Sequence, residues 1–495
     1  MSIHRTRLIA LSLALVAALP ALAQYPGSKP VPASLDTGFN AVSLSDVRGW
    51  LEKLAGPEFA GRGTGQKGFD LAAQWVADRF KEAGLKPIGP NGDFFQPVPH
   101  ERTTVVSLST TIALGETKLH YGGDFMVTGG GDTEISAPIV VITPTAEAAL
   151  TPEQRAELEG KIVIVDSRGA TTAARVGRGP GGPRPAIRMT VVKALANAEP
   201  SVRFTPGGAG AAGAPRGGGF LSGSITETAL ANLMADEKAW SNGEKPYKES
   251  AAKATLTVKV QTESVGIPNV VGLFEGSDPE LKHEVVAIGC HLDHLGTRNG
   301  VMYPGADDDA SGTTALIAVA KMLQANPVKP KRSILFIAFT GEEMGLNGSR
   351  WYSDNPLIPM EKTLALFQMD MVGRNEEKPN EKAEDNVDTI HLVGSKRIST
   401  GLHEHVLKIN EHVNFQFEYD EEGVYTRSDH YNFARKGVPI AFFFSGFHPD
   451  YHQPTDTPDK INYDKVLNAS KLAYLLVATT ADREKMFDKD VSGGG

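Results

Sequence analysis

Three short strings and two isolated residues carry the side chains able to do chemistry. They are His291-Leu292-Asp293, the acid triplet Asp307-Asp308-Asp309, and Glu342-Glu343 after Gly341, followed by Asp370 and His452. Two histidines and three carboxylates make a mixed nitrogen/oxygen donor set, which suits zinc. One further carboxylate is left over to act as a base. Residues two apart at a strand end share a face, so Asp293 is placed behind the His291 imidazole, where it fixes the tautomer. Adjacent glutamates point in different directions, so one of the pair can bind metal while the other holds water. A carboxylate bridging two cations is what a two-metal centre requires, and the triplet offers one just ahead of a helix. One of its acids also suits the helix N-terminus, where the dipole favours negative charge. Asp370 lies between the apolar runs 365–369 and 371–372, and an acid in such a setting is paired or metal-bound.

Alternating elements would gather these residues. Apolar runs at 285–290, 334–340, 364–369 and 439–444 read as buried strands, and 311–324, 399–410 and 463–480 as helices. The alternation predicts an α/β fold, a mixed, mainly parallel sheet sandwiched by helices, with functional groups at the carboxyl ends of the strands. His291, Glu342, Glu343 and Asp370 each follow directly on such a strand, and His452 lies in the loop after another. Earlier in the chain, 44–54 reads as a helix capped by Ser43 or Ser45. Residues 68–83 read as an amphipathic helix with Leu71, Trp75, Val76, Phe80 and Ala83 on one face, stopped by Gly84. Between the two helices lies the loop Gly61-Arg62-Gly63-Thr64-Gly65. Further on the texture changes to short strands, among them 137–142 and 160–165, with a glycine-, proline- and arginine-rich loop over 177–219. Residues 125–255 are therefore expected to form a smaller β-rich domain inserted into the first. The main domain is then split into 24–124 and 256–490, with 491–495 as a flexible tail.

At 495 residues the chain exceeds one ordinary core. Its hydrophobic content of 41% and charged content of 22% are those of a globular enzyme. Residues 1–23 combine a basic start (His4, Arg5, Arg7), an apolar run too short to span a membrane and the small-x-small site Ala21-Leu22-Ala23. They read as a signal peptide, so the protein is expected to be exported, periplasmic or secreted, and to begin at Gln24. The formal charge of −9 becomes two units more negative once Arg5 and Arg7 leave. Such a balance argues against nucleic acid or an anionic membrane as partner. No later stretch reads as a membrane anchor. Cys290 is the one cysteine, so no internal disulfide forms, and its position beside His291 predicts a buried thiol on the opposite strand face.

As a set, Gly289–His294, Pro304–Gly312, Thr340–Glu343, Gln368–Met371 and Tyr451–Asp456 resemble the motifs of metallopeptidase family twenty-eight, which contains the bacterial co-catalytic zinc aminopeptidases. The resemblance covers about 265–485 and the N-terminal helices around Gly61-Arg-Gly, and it implies the fold of zinc exopeptidases, the phosphorylase/hydrolase-like type. Through 160–165 and its position, the inserted region resembles a protease-associated domain. The resemblance implies two zinc ions per chain. Asp308 would bridge both, His291 and Asp370 would complete one, and Glu343 and His452 the other. Glu342 would be the general base, Asp293 would orient His291, and Tyr451 would stabilise the tetrahedral intermediate. The activity implied is that of an exported zinc-dependent exopeptidase acting on peptides, an aminopeptidase releasing N-terminal residues. Two other readings stay open. One is a carboxypeptidase acting on acidic C-terminal residues, whose signature would be arginines such as Arg427 near the metals. The other is a peptide-binding protein that uses the inserted domain.

Overall fold

The computed structural model describes residues 24–128, 131–168, 184–195, 202–206, 221–298, 300–378, 380–419 and 422–491. The expected signal peptide, most of the 177–219 loop and residues 492–495 lie outside them. Among the described residues the chain forms a ten-stranded and a nine-stranded sheet, with a separate two-stranded hairpin.

The larger sheet has a parallel centre. Val285–His291 lies between Ser333–Phe339 and Thr363–Met369, and Ile440–Phe444 follows, all parallel. The flanks are antiparallel. Val260–Phe274 pairs with Ser333–Phe339 on one side, and Thr389–Val393 with Ile440–Phe444 on the other. The central strands are buried along their whole length because both faces are covered, which is why they read as unbroken apolar runs. Within Val285–His291, Val286, Ile288 and Cys290 join the core that also holds residues of the helices Ala310–Ala325 and Tyr463–Ala481. Val285 and Ala287 join the opposite core, with Tyr352 and Phe433. Strand pleating thus separates the Cys290 thiol, 3.5 Å from the Thr313 hydroxyl, from the His291 ring.

The smaller sheet lies between two long strands in sequence. Phe95–Val105 and Val260–Phe274 run antiparallel in register from Phe95↔Val270 to Val105↔Val260, so the chain leaves and returns side by side. The sheet between them extends from Thr111–Leu114 to Lys248–Val258. It therefore begins before residue 125. The hairpin formed by Thr111–Leu114 and Thr117–His120 buries one large apolar side chain per strand, Ile112 and Leu119, too weak a pattern to stand out. This sheet has its own core around Phe125, Ile139, Ile162, Met189, Ile225 and Leu256. One strand of the region, Val202–Pro206, instead adds to the edge of the larger sheet beside Phe95–Val105.

The helix Leu44–Leu54 is capped by Ser43, whose side chain accepts from the Asp46 amide while Asp46 returns the bond. The helix Lys67–Glu82 turns inward a face that overlaps the expected one: Val76, Phe80 and Ala83 are buried as expected, whereas Leu71 is not. Phe69, Ala72, Ala73, Val76, Ala77 and Phe80 are buried, Trp75 is half-buried and Leu71 is 39% exposed. Small alanines carry the contact because the helix approaches the sheet closely. A side chain at Gly272 would meet the Phe80 ring at 3.0 Å.

Lys471, on Tyr463–Ala481, is 5% exposed, with its ammonium 4.6 Å from the centre of the Phe39 ring. Burial lowers its pKa from an ordinary 10.5 to about 8. The unfolded chain therefore binds the extra proton between about pH 8 and 10.5, and stability contributed by this residue rises with pH through that window. Lys471→Met is expected to stabilise the fold at pH 7 by up to about 3 kcal/mol, reduced by loss of the cation–π contact. The gain should shrink towards pH 10. Denaturant unfolding at the two pH values checks this, and an equal gain at both would refute the assignment.

Candidate metal centre

The parallel strands deliver their carboxyl ends to one edge. There His291 closes Val285–His291, Glu342 and Glu343 follow Ser333–Phe339, and Asp370 follows Thr363–Met369. The loop 304–309 arrives at the N-terminus of Ala310–Ala325, and the loop after Ile440–Phe444 brings His448, Tyr451, His452 and Asp456.

Position divides the acid triplet. All three residues are buried, between 0% and 3% exposed. Asp309 caps the helix, accepting from the amides of Gly312 at 2.9 Å, Met371 at 3.0 Å and His291 at 3.1 Å. Asp307 accepts from the Gly373 amide at 2.7 Å and faces His448 Nε2 at 3.3 Å. Of the three, Asp308 faces the imidazoles of His291, His294 and His452. Its Oδ1 is 3.2 Å from His291 Nε2, and its Oδ2 is 3.1 Å from His452 Nε2 and 3.5 Å from His294 Nδ1.

Two donor groups share Asp308. In one, His291 Nε2 also lies 3.3 Å from Asp370 Oδ1. In the other, Glu343 lies 2.8 Å from His294 Nδ1 and 3.2 Å from His452 Nε2. His452 is the more exposed of these imidazoles, at 35% of its side chain, and reaches in from the solvent side. His294 belongs to the string Gly289–His294 but received no role from the sequence. It lies beyond the strand end, and its ring reaches the site because Gly305, at φ +57°, leaves room. A Cβ there would meet the ring at 2.5 Å. The remaining assigned residues lie beside these groups. Glu342 is half-buried and lines the cavity with His291, Asp308 and Asp370. Tyr451 stacks on His452 with ring centres 3.9 Å apart, and its oxygen accepts from Arg427 at 3.2 Å.

Asp293 supports His291 differently from the expectation. His291 Nδ1 is 2.9 Å from the Asp293 backbone carbonyl, while the carboxylate is 4.0 Å away. The carboxylate instead accepts from the Thr64 hydroxyl at 2.7 Å and from the Glu342 amide at 3.1 Å. One residue thus braces the histidine through its main chain and the glutamate loop through its side chain. Asp456, also given no role, accepts from the amides of Asp307 and Asp308 at 3.1–3.2 Å.

The electrostatics fit a cation. Burial raises the Asp308 carboxyl, but His294, His291 and His452 outweigh it and hold it well below the ordinary aspartate value. Burial lowers the His452 imidazole, yet hydrogen bonding to Asp308 and Glu343 carries it up to about 9. Burial, with Asp370, Glu343 and Asp429 nearby, holds Glu342 well above the ordinary glutamate value despite His291. Among the described residues, no lysine or arginine comes within ion-pair distance of Asp308, Glu343 or Asp370. Glu343 Oε1 and both His294 nitrogens are buried without an aligned hydrogen-bond partner. Converging carboxylates and imidazoles with unsatisfied atoms are the donor chemistry of a divalent transition metal. Beside them an open cleft is walled by Met371, Val424, Phe442, Phe444 and Phe447, with Arg427 and Tyr451.

Residues 269–477 match the model of peptidase family M28. Aminopeptidase YwaD of Bacillus subtilis is 28% identical over 47% of this chain and 49% of its own length. Aminopeptidase Y of Saccharomyces cerevisiae is 27% identical over 46% of this chain and 41% of its own. The chain thus spans about half the length of these curated relatives. Among solved structures, an aminopeptidase from Aneurinibacillus sp. strain AM-1 superposes with a TM-score of 0.51 at 20% identity, covering 94% of this chain and 98% of that one. BSAP, a zinc aminopeptidase from Bacillus subtilis, gives a TM-score of 0.54 at 18% identity, covering 91% and 97%. These likenesses show a shared fold.

Proposed function

We propose that this protein is an exported zinc-dependent aminopeptidase that hydrolyses peptides from their N-termini, a reading that starts from the match of residues 269–477 to peptidase family M28. The observation that carries the reading is the pair of donor groups sharing Asp308. One zinc ion is assigned to His291, Asp308 and Asp370, and a second to Asp308, Glu343 and His452, with His294 beside it. The names of the relatives, aminopeptidases and in one case a zinc aminopeptidase, support the choice of metal and reaction. The smaller sheet is assigned to a protease-associated-like domain. Export rests on the signal read at residues 1–23; among the described residues no helix is long and apolar enough to cross a membrane.

Bound zinc supplies Lewis acidity towards water and the scissile carbonyl. The rest is done by side chains. Glu342, held by burial and neighbouring acids above the ordinary glutamate range, takes the proton of the attacking water and passes it to the leaving amine. Tyr451 stays protonated because burial, Asp308 and Glu343 push its pKa up. Its oxygen accepts from Arg427, so its own proton is available to donate to the developing oxyanion. Asp293 holds the Glu342 amide and so fixes where that carboxylate starts.

A panel of free, N-blocked and C-blocked di- and tripeptides, with and without chelator, tests the reading. Chelator-sensitive release of N-terminal residues, abolished by N-blocking, is the expected result. One observation favours a second reading. Arg427 is exposed at the cavity, and the contacts of its guanidinium among the described residues are with aromatic rings and the Tyr451 hydroxyl. Cleavage that survives N-blocking but needs a free C-terminal carboxylate would identify a carboxypeptidase. Zinc binding with no turnover of any peptide would leave a peptide-binding protein.

A further inference from the structure

The loop Gly61–Gly65 approaches the metal-binding edge from beneath, and one residue of it is built against expectation. Arg62 is a non-glycine residue at φ +53° and is fully buried. Its guanidinium makes no ion pair within 4 Å among the described residues. It donates instead to main-chain carbonyls: Nε to Leu292 at 2.9 Å, Nη1 to Leu54 at 2.8 Å and Pro304 at 2.9 Å, and Nη2 to Gly305 at 2.9 Å and Asp308 at 3.5 Å. Its own carbonyl accepts from the His294 amide at 3.2 Å. A left-handed non-glycine residue and a buried cation are each unfavourable alone. Both persist here because the fork joins the segment after the His291 strand to the loop that carries Asp308.

We infer that Arg62 is the positioning residue of the metal centre: it fixes the Asp308 loop against the His291 strand end and supplies a buried positive charge to the surrounding acids. The charges that face it are those of Asp309, Asp308, Asp456 and Asp293. The planar fork is essential, because one lysine ammonium cannot reach separated carbonyls in several directions at once. Two lines of support for the site therefore leave the same loop. Arg62 holds the metal-binding loop, and Thr64 holds Asp293, which holds the Glu342 amide. The inference rests on the metallopeptidase reading of the same site.

The test uses the full chain as wild type, Arg62→Lys and Arg62→Gln, with three readouts: cobalt(II) absorption of the substituted centre, zinc affinity by chelator competition, and kcat with KM. Arg62→Lys keeps charge and stem but loses the fork; Arg62→Gln keeps a planar donor but loses the charge. The expected result is a folded variant with an altered cobalt spectrum, zinc affinity lower by roughly 10- to 100-fold, as for other groups that orient metal ligands, and reduced kcat at nearly unchanged KM. A merely structural role would lower the melting temperature equally with and without metal and leave the cobalt spectrum unchanged, which would overturn the inference. Failure of both variants to fold, even with zinc present, would assign Arg62 to the fold and overturn it as well. Wild type separates the two levels: if wild type binds no metal and cleaves no peptide, the metallopeptidase reading fails, whereas variants that match an active wild type sink the inference alone.

Discussion

Replacing Glu342 with glutamine is expected to lower kcat by roughly 10²- to 10⁴-fold, the usual contribution of a general base, while zinc content stays at the wild-type level. The argument is geometric. Asp308, Glu343 and Asp370 each stand 2.8–3.3 Å from an imidazole nitrogen, whereas no imidazole lies within 4 Å of the Glu342 carboxylate among the described residues. Glu342 nevertheless lines the same cavity as His291, Asp308 and Asp370. A carboxylate that faces the donors without closing on them is placed to handle the proton of a bound water. The amide of glutamine keeps the shape and cannot accept that proton. Metal analysis and turnover on one purified sample check the prediction. Loss of zinc together with activity would make Glu342 a ligand and remove it as the base.

Asp308→Asn is expected to collapse the centre, whereas the same change on either side of it is not. Asp308 is the acid common to both donor groups. Its loss should lower metal affinity by more than about 100-fold, beyond the effect typical of residues that only orient ligands, and bring turnover to background. Asp309→Asn keeps a side-chain acceptor at the helix N-cap, where asparagine serves as well as aspartate, so its effect should fall mainly on stability. Asp307→Asn weakens the pairing with His448 and should retain metal. Zinc stoichiometry across the three variants is the decisive measurement. Equal losses at 307 and 308 would mean that the bridging role is shared or misassigned.

The two predictions also mark how far the one-dimensional pattern reaches. The central strands were legible because burial on both faces leaves no polar alternation. The site was legible at its strand ends because a parallel sheet collects them on one edge. Asp308, Glu343, Asp370, His291 and His452 do converge, and Asp309 takes the helix-capping role that the triplet was expected to provide once. Leu71 shows a limit: helical periodicity places Val76, Phe80 and Ala83 inward but does not show that Ala72, Ala73 and Ala77, rather than Leu71, complete the contact, since closeness to the sheet favours alanine over leucine there.

By itself the sequence determined the chemical inventory: which residues are able to bind metal or carry a proton, and which runs must be buried. Those are properties of residue type and local spacing. Only the tertiary structure decided how the inventory is shared out. It turned the middle acid of the triplet towards both histidine groups, brought His294 in over Gly305, gave the Asp293 carboxylate to Thr64 and Glu342, and set Arg62 beneath the metal loop. Each of those assignments depends on the directions of side chains from segments separated by as many as 246 residues. No local pattern encodes such directions, because they are fixed when the strands, the loop 304–309 and the N-terminal loop pack against one another.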